Sequence, residues 1–282
     1  MFNIHLASTY GFCRGVQCAT ELADQLVASS RRPIYSIGKL VHNDAVVRRY
    51  EERGLQVIGS PEGVEPGLAL VRAHGIPLDE WQAYEKAGFT LVDGTCRLVK
   101  LNHMRCAKAQ LPVLFFGLRK HAETLSTVSR TAGWIRVVED LDDLDGLDPS
   151  WTYDIIMQTT FSTLKADRLL AELDGRGIAY EIISHVCPAS SRRRRAVLEL
   201  CDMCQSVIVL GERQSANTSE LYRLAKDRGV AAWLIGSPAE LEDAMISCCD
   251  VGVTAGASVD PASVDLLIDV LEQKGGTLIR RL

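Results

Sequence analysis

Three cysteines, Cys13, Cys96 and Cys187, lie 83 and 91 residues apart, and each falls between a strand-like run and a helix-like segment. Their local sequences are Gly11-Phe12-Cys13-Arg14-Gly15, Gly94-Thr95-Cys96-Arg97 and His185-Val186-Cys187-Pro188-Ala189. A cysteine that opens a helix faces unpaired backbone N–H groups and the positive end of the helix dipole. Both make such a sulfur a better metal ligand or nucleophile. Taken singly, each cysteine reads equally well as a small buried side chain. Three in equivalent positions point to shared chemistry. Three thiolates hold zinc with one open position, or a cubane iron–sulfur cluster with one iron lacking a protein ligand. The other six cysteines read as structural: Cys201 and Cys204 are a C-x-x-C inside an apolar helix pattern, Cys248 and Cys249 are adjacent, and Cys18 and Cys106 fall on helix faces.

The segments that follow the strand-like runs are rich in anion-binding groups, and ligands of α/β sheets bind beyond the carboxyl ends of strands. They include His42-Asn43, Arg72-Ala73-His74-Gly75 and Lys120-His121-Ala122-Glu123. Further along come Gln158-Thr159-Thr160, the stretch from Gly211 to Asn217 that carries Ser215, and Thr254-Ala255-Gly256-Ala257-Ser258. Small residues let backbone N–H groups approach an anion, while His, Ser, Thr and Asn supply side-chain hydrogen bonds. Three of the six histidines at strand ends fit a shared anion site better than three separate surface positions. Glu123 is the one carboxylate of these segments suited to donate a proton, and Thr159 is placed to relay one to it. The plainer reading of Glu123 is a first-turn residue that complements the helix dipole. The run Arg192-Arg193-Arg194-Arg195 lies in a helix, so its charges are spread around the axis; it reads as a solvated helix start or as a docking point for an acidic electron-transfer partner.

These residues need elements to hold them. Strand-like runs centre on 3–6, 34–37, 55–58, 68–72, 89–92, 112–116, 134–138, 154–157, 178–183, 206–210, 231–235 and 250–253. Amphipathic segments of helical period separate many of them, which predicts an α/β protein with mostly parallel sheets. The acidic stretch from Asp140 to Asp148 reads as a polar loop or short helix. Four runs fall between Cys13 and Cys96, four between Cys96 and Cys187, and three after Cys187, with the N-terminal run as the natural fourth of that group. This periodicity predicts three small α/β units with four-stranded sheets about a pseudo-threefold, trefoil-like centre. The expected units are 13–95, 96–186, and 187–282 joined by the N-terminal strand segment 1–12.

Composition narrows the function class. With 47% hydrophobic and 24% charged residues over 282 positions, the chain is neither disordered nor fibrous. A net charge of −5 does not favour a nucleic-acid groove, and no apolar run reaches the ~18 residues of a membrane span. No basic-then-apolar leader marks the N-terminus for export, and nine cysteines make a poor disulfide framework, so a reducing, cytoplasmic setting is expected.

The motifs at Cys13, Val41-His42-Asn43, Arg72-to-Gly75, Asp93-Gly94-Thr95-Cys96, Gln158-Thr159-Thr160, Cys187 and Thr254-to-Ser258 occur in the order found in one family. The chain resembles 4-hydroxy-3-methylbut-2-enyl diphosphate reductase, the last enzyme of the non-mevalonate isoprenoid pathway. The resemblance implies three α/β units around one central 4Fe-4S cluster with three cysteine ligands, Cys13, Cys96 and Cys187, and one open iron. It implies reductive removal of an allylic hydroxyl to give isopentenyl and dimethylallyl diphosphates, with electrons from a ferredoxin or flavodoxin. The diphosphate would meet His42, His74, His121, Ser215, Asn217 and Ser258, and the proton path would use Glu123 and Thr159. The chain departs from the family pattern at Ala216, where a second serine is usual, and at Leu118-Arg119-Lys120 before the His-x-Glu motif. It departs also in the 124–131 loop, which lacks the usual glycines, and at Arg192. A paralogous reductase for another allylic or phosphorylated substrate is the rival reading; a redox-sensing or electron-carrying cluster protein has no need of an anion pocket.

Overall fold

The computed structural model describes residues 1–41 and 43–279. Strand β1 (Phe2–Leu6) is followed, after the loop carrying Cys13, by helix α1 (Arg14–Ser29). Next come β2 (Ile34–Ile37), α2 (Asp44–Glu51), β3 (Leu55–Ile58), β4 (Leu68–Val71), α3 (Leu78–Lys86) and β5 (Thr90–Asp93). Helix α4 (Arg97–Lys108) leads to β6 (Val113–Phe116), α5 (Ala122–Val128), β7 (Ile135–Val138), β8 (Thr152–Met157), α6 (Thr163–Gly175) and β9 (Ala179–Ser184). The remainder is α7 (Pro188–Met203), β10 (Ser206–Leu210), α8 (Ala216–Asp227), β11 (Ala231–Ile235), β12 (Asp250–Ala255), α9 (Pro261–Gln273) and β13 (Gly276–Ile279).

The strands form three sheets, ordered β3-β2-β4-β5, β7-β6-β8-β9 and β11-β10-β12-β1-β13. The first four positions repeat one pattern, in which the first strand of each group in chain order (β2, β6 or β10) pairs with the second and the third, and the fourth position (β5, β9 or β1) lies beyond the third. Every pairing is parallel. Parallel strands need crossovers, and the crossover helices cover the faces, so continuous apolar runs such as Val113-Leu114-Phe115-Phe116 and Val207-Ile208-Val209-Leu210 are buried throughout. The third sheet has five strands where four were expected. Its extra member, β13, is short and mostly exposed, and carries no alternating apolar signal.

The chain divides into two compact units. The first, Met1–Gln17, Val41–Arg48 and Pro188–Leu282, contains the five-stranded sheet. One face of that sheet packs Ile4, Leu6 and Val253 against Leu267 and Leu271 of α9; the other packs Val207 and Val209 against Val197 and Leu200 of α7 and Leu221 of α8. The second, Cys18–Leu40 and Arg49–Cys187, contains both four-stranded sheets. There Leu114, Phe116 and Ile155 meet Leu169 and Leu173 of α6, and Tyr35, Ala69 and Val71 meet Tyr84 of α3. At roughly 1.5–3 kcal/mol for each large apolar side chain buried, this two-faced packing fixes where the strands end, and so where their loops begin.

The acidic stretch contains a short 3-10 turn, Leu141–Leu144, capped by Asp140. The segment expected to be a loop at 124–131 is instead helical as far as Val128, because its buried face of Thr124, Ser126 and Thr127 continues the turn begun at Ala122. Cys106 and Cys204 are buried and Cys201 lies in α7; burial pushes all three thiols up, Cys204 to about 12, as befits packing residues. Among the described residues no helix is long and apolar enough to cross a membrane.

Candidate active site

Each of the three cysteines immediately precedes a helix, α1, α4 or α7, and each is held by the same backbone bond. Cys13 N–H donates to the Ala257 carbonyl at 3.2 Å, Cys96 N–H to Ala73 at 2.9 Å, and Cys187 N–H to Thr159 at 2.8 Å. Ala73, Thr159 and Ala257 each lie two residues beyond the end of the third strand of a sheet, β4, β8 and β12. Each cysteine follows the fourth strand, which neighbours that third one. The repeat therefore extends from strand order to a single hydrogen bond. It also ties each cysteine to a motif already singled out for its polar residues.

In the second unit this bond joins Cys187 to Thr159, and Thr159 to Glu123. Thr159 N–H donates to Glu123 Oε1 at 2.7 Å, and its hydroxyl pairs with Oε2 at 2.6 Å. The Glu123 side chain is almost wholly enclosed, at 1% exposure. Loss of hydration raises its pKa to about 7, against the two Thr159 hydrogen bonds that favour the charged form. Glu123 is a first-turn residue of α5, so the plainer reading of its position holds as well; it does not explain a buried carboxyl. Arg119, close by in sequence, is committed elsewhere. It is exposed, pairs with Asp143, and donates to the Val137 carbonyl, so it does not hold Glu123 ionised.

His121 caps α5: its Nδ1 accepts the Glu123 N–H at 3.2 Å, which leaves Nε2 as the protonated, donating nitrogen. The rings of His121 and His74 meet edge to face with centroids 5.2 Å apart, so two of the expected anion ligands come together from different loops. Gln158 keeps the loop before them in place by accepting the Leu118 N–H at 2.9 Å and donating to Thr160 Oγ1. Asn102 of α4 braces the far side: it donates to the Met157 carbonyl at 3.0 Å and accepts from Ser184 at 2.5 Å, fixing the ends of β8 and β9 just before Thr159 and Cys187.

The first unit carries the remaining candidates. Ser215 caps α8 and accepts the Thr218 N–H. Asn217 Oδ1 accepts the N–H of Ala257, the same residue whose carbonyl takes Cys13 N–H. Its amide nitrogen is buried and has no acceptor among the described residues, so an oxygen-rich anion would satisfy a donor that otherwise costs ~1–3 kcal/mol to bury. Ser258, next to Ala257, is buried as well. Arg193 is the buried member of the four-arginine run and donates to the Gly11 carbonyl at 2.6 Å, steadying the loop before Cys13; Arg192 and Arg195 are exposed. Asn43 caps α2 through the Val46 N–H, and Glu212 accepts the Asp44 N–H at 2.7 Å. His42 lies outside the described residues.

Cys13 Sγ accepts the Val16 N–H at 3.5 Å, the helix-terminus environment expected to favour a ligating sulfur. Among the described residues no three His, Cys, Asp or Glu side chains are gathered as ligands for a single ion. Thiolates are soft ligands, and the chemistry of three helix-opening cysteines fits an iron–sulfur cluster. Sequence reasoning missed His103, Asn102 and Arg193. The signal was present in α4, where polar Asn102 and His103 occupy buried positions of the apolar face beside Val99 and Cys106.

Comparison with known proteins gives the family. The chain is 28% identical to the 4-hydroxy-3-methylbut-2-enyl diphosphate reductase of Treponema denticola, over 95% of this chain and 97% of that protein. It is 30% identical to 4-hydroxy-3-methylbut-2-enyl diphosphate reductase 2 of Burkholderia mallei, over 99% of this chain and 89% of the relative. The solved structure of the E-1-hydroxy-2-methyl-but-2-enyl-4-diphosphate reductase from Plasmodium falciparum superimposes with a TM-score of 0.89 at 25% identity, covering 96% of this chain and 88% of that one. A family model described as LytB protein matches residues 4–272, and the chain belongs to that family.

Proposed function

We propose that the protein reduces 4-hydroxy-3-methylbut-2-enyl diphosphate to isopentenyl and dimethylallyl diphosphates, taking up two electrons and two protons and releasing the hydroxyl as water. The observation that carries this reading is the chain from Cys187 through Thr159 to Glu123: a buried carboxyl poised to hold a proton at neutral pH, two hydrogen bonds from a cysteine that opens a helix. Cys13, Cys96 and Cys187 hold one 4Fe-4S cluster with an open iron, which supplies the electrons when bound. A ferredoxin or flavodoxin delivers them, and the setting is the cytoplasm.

The protein's own part is binding and proton transfer. His74, His121, Asn217 and Ser258, with His42 and Ser215, take the diphosphate through N–H and O–H donors. Neutral His121 presents its Nε2 proton because Nδ1 is spent on the helix cap. Glu123 gives one proton to the departing hydroxyl, which leaves as water, while the second proton adds to the allylic carbon. The Thr159 hydroxyl stabilises the carboxylate left behind and relays a proton to it only as it takes up another in turn. Burial of this pair keeps water from competing. The test is an anaerobic assay of cluster-loaded protein with the hydroxylated C5 diphosphate and a chemical reductant. Formation of the two C5 diphosphates at two electrons per turnover is expected; a loaded cluster with no consumption of this substrate would overturn the reading.

A further inference from the structure

His103 lies in α4, well removed in sequence from the strand-end motifs, yet it touches the machinery. Its Nε2 is 3.1 Å from Ser126 Oγ. Ser126 Oγ is in turn 2.8 Å from the His74 carbonyl and 3.0 Å from the Glu123 carbonyl. A hydroxyl has one proton to give, so it donates to these carbonyls and receives the Nε2–H of His103. That arrangement needs the proton of His103 on Nε2, and a neutral ring supplies it as the Nε2–H tautomer. Burial, together with the Arg130 and Lys100 charges and against the pull of Asp93, pushes the His103 pKa down to about 4. Gly75, adjacent to His74, completes the contact. Its φ is +72°, and a Cβ there would stand 3.0 Å from His103 Cε1 and 3.1 Å from Ser126 Oγ. Two further bonds close the segment. Ser129 Oγ accepts the Leu78 N–H at 3.0 Å, and Arg130 donates to the Ile76 carbonyl at 3.0 Å. The segment from His74 to Leu78 is thus stitched to α5 at Ser126 and to the two residues that follow α5, Ser129 and Arg130.

We propose that His103 is a positioning residue: acting through Ser126, it fixes the backbone that presents His74 to the anion relative to the helix turn that presents Glu123. The inference rests on the roles given above to those two residues. It separates two functions of one helix, since α5 carries the proton donor on its first turn and the clamp on its second.

Three variants test it. Ser126→Ala removes the relay, His103→Leu fills the space without a donor, and His103→Gln keeps an amide N–H where Nε2 stands. Cluster content and thermal unfolding are measured first. Binding of inorganic diphosphate, followed by calorimetry, is expected to weaken about tenfold in Ser126→Ala and in His103→Leu, the scale of one directed hydrogen bond, and to recover in His103→Gln. The Ser126→Ala/His103→Leu double variant should lose no more than either single one, because both break the same chain. Amide exchange at Gly75 and Ile76 should quicken in the same variants. Normal binding and exchange in His103→Leu, or additive losses in the double variant, would overturn the proposal. If His103→Leu fails to fold, Ser126→Ala against His103→Gln decides. If the unaltered protein binds no diphosphate, the role of His74 falls, and the exchange pattern alone decides whether the clamp exists.

Discussion

At Glu123 burial and hydrogen bonding pull in opposite directions, and burial wins. Two donors from Thr159 favour the carboxylate, yet the pKa stands near 7, well above the ordinary carboxylate range. A carboxyl whose folded pKa is raised contributes stability that is fully present below its unfolded pKa and is lost as pH rises through about 7. In the role proposed for Glu123 the same titration governs catalysis, since the proton is available below that point and gone above it. Turnover of the wild type should therefore decline on the alkaline side with a midpoint near 7, or higher with a bound diphosphate, whose charge disfavours the carboxylate further. Glu123→Gln should keep the cluster and still bind diphosphate while turnover falls by roughly 10²-fold or more, the scale of a lost proton donor. Thr159→Val should cost less, and should move the alkaline limb upward, because it removes a hydrogen bond that favours the charged form. A limb that stays in place in Thr159→Val, read from the pH dependence of kcat/KM, would assign the titration to another group.

Among the elements, the loops are made by what the strands and helices leave no room for. Gly256 follows β12 and begins the turn to Ala257 and Ser258. A Cβ built on it would lie 1.9 Å from Thr218 Oγ1 and 3.1 Å from Thr218 Cβ, and Thr218 is itself fully buried in the first turn of α8. Gly256→Ala should therefore destabilise the fold by about 1–3 kcal/mol, the usual penalty for overpacking. It should also weaken diphosphate binding, since Ala257 carries bonds to both Cys13 and Asn217. A melting temperature equal to that of the unaltered chain would show that the turn yields more easily than the packing indicates. This scale is also where the sequence was most legible. Runs such as 206–210 and 113–116 announce themselves by continuous apolar, β-branched or aromatic residues, because parallel strands are buried on both faces. β13 did not, because Gly276-Thr277-Leu278-Ile279 pairs only at the sheet edge and leaves most of its side chains exposed. The 124–131 segment was misread for the opposite reason: its helix buries hydroxyls rather than apolar groups, and Thr124, Ser126 and Thr127 give no hydrophobic period. The meeting of Glu123 with Thr159 and the place of Cys13 before a helix could be found from type and position alone. The Ser126–His103 contact could not, since no local pattern links two residues whose meeting depends on how α4 packs on α5.

For the whole molecule, the repeated unit is a four-strand order, a cysteine after the fourth strand, and a carbonyl two residues past the third. Three occurrences of one hydrogen bond, at 3.2, 2.9 and 2.8 Å, make the cysteines equivalent in a way their unlike neighbours, Arg14, Arg97 and Pro188, do not suggest. Equivalence predicts equal consequences. Cys13→Ser, Cys96→Ser and Cys187→Ser should each abolish the visible absorbance of the anaerobically loaded cluster, because serine keeps the backbone bond and the helix start but offers a poor ligand to iron. Secondary structure by circular dichroism should survive in all three. Cys201 and Cys204 are the matched control. They have the spacing of a metal or redox motif, but Cys204 packs against Gly252 with its Sγ 3.4 Å from the position of a Cβ there, and burial holds its thiol near 12. A thiol so reluctant to ionise serves packing, not ligation. Cys201→Ala and Cys204→Ala should therefore lower thermal stability and leave iron content per chain unchanged. Loss of the cluster on changing the 201/204 pair, with retention on changing any one of the three, would break the link between the repeat and the metal, and the common backbone bond would then be a feature of the fold alone.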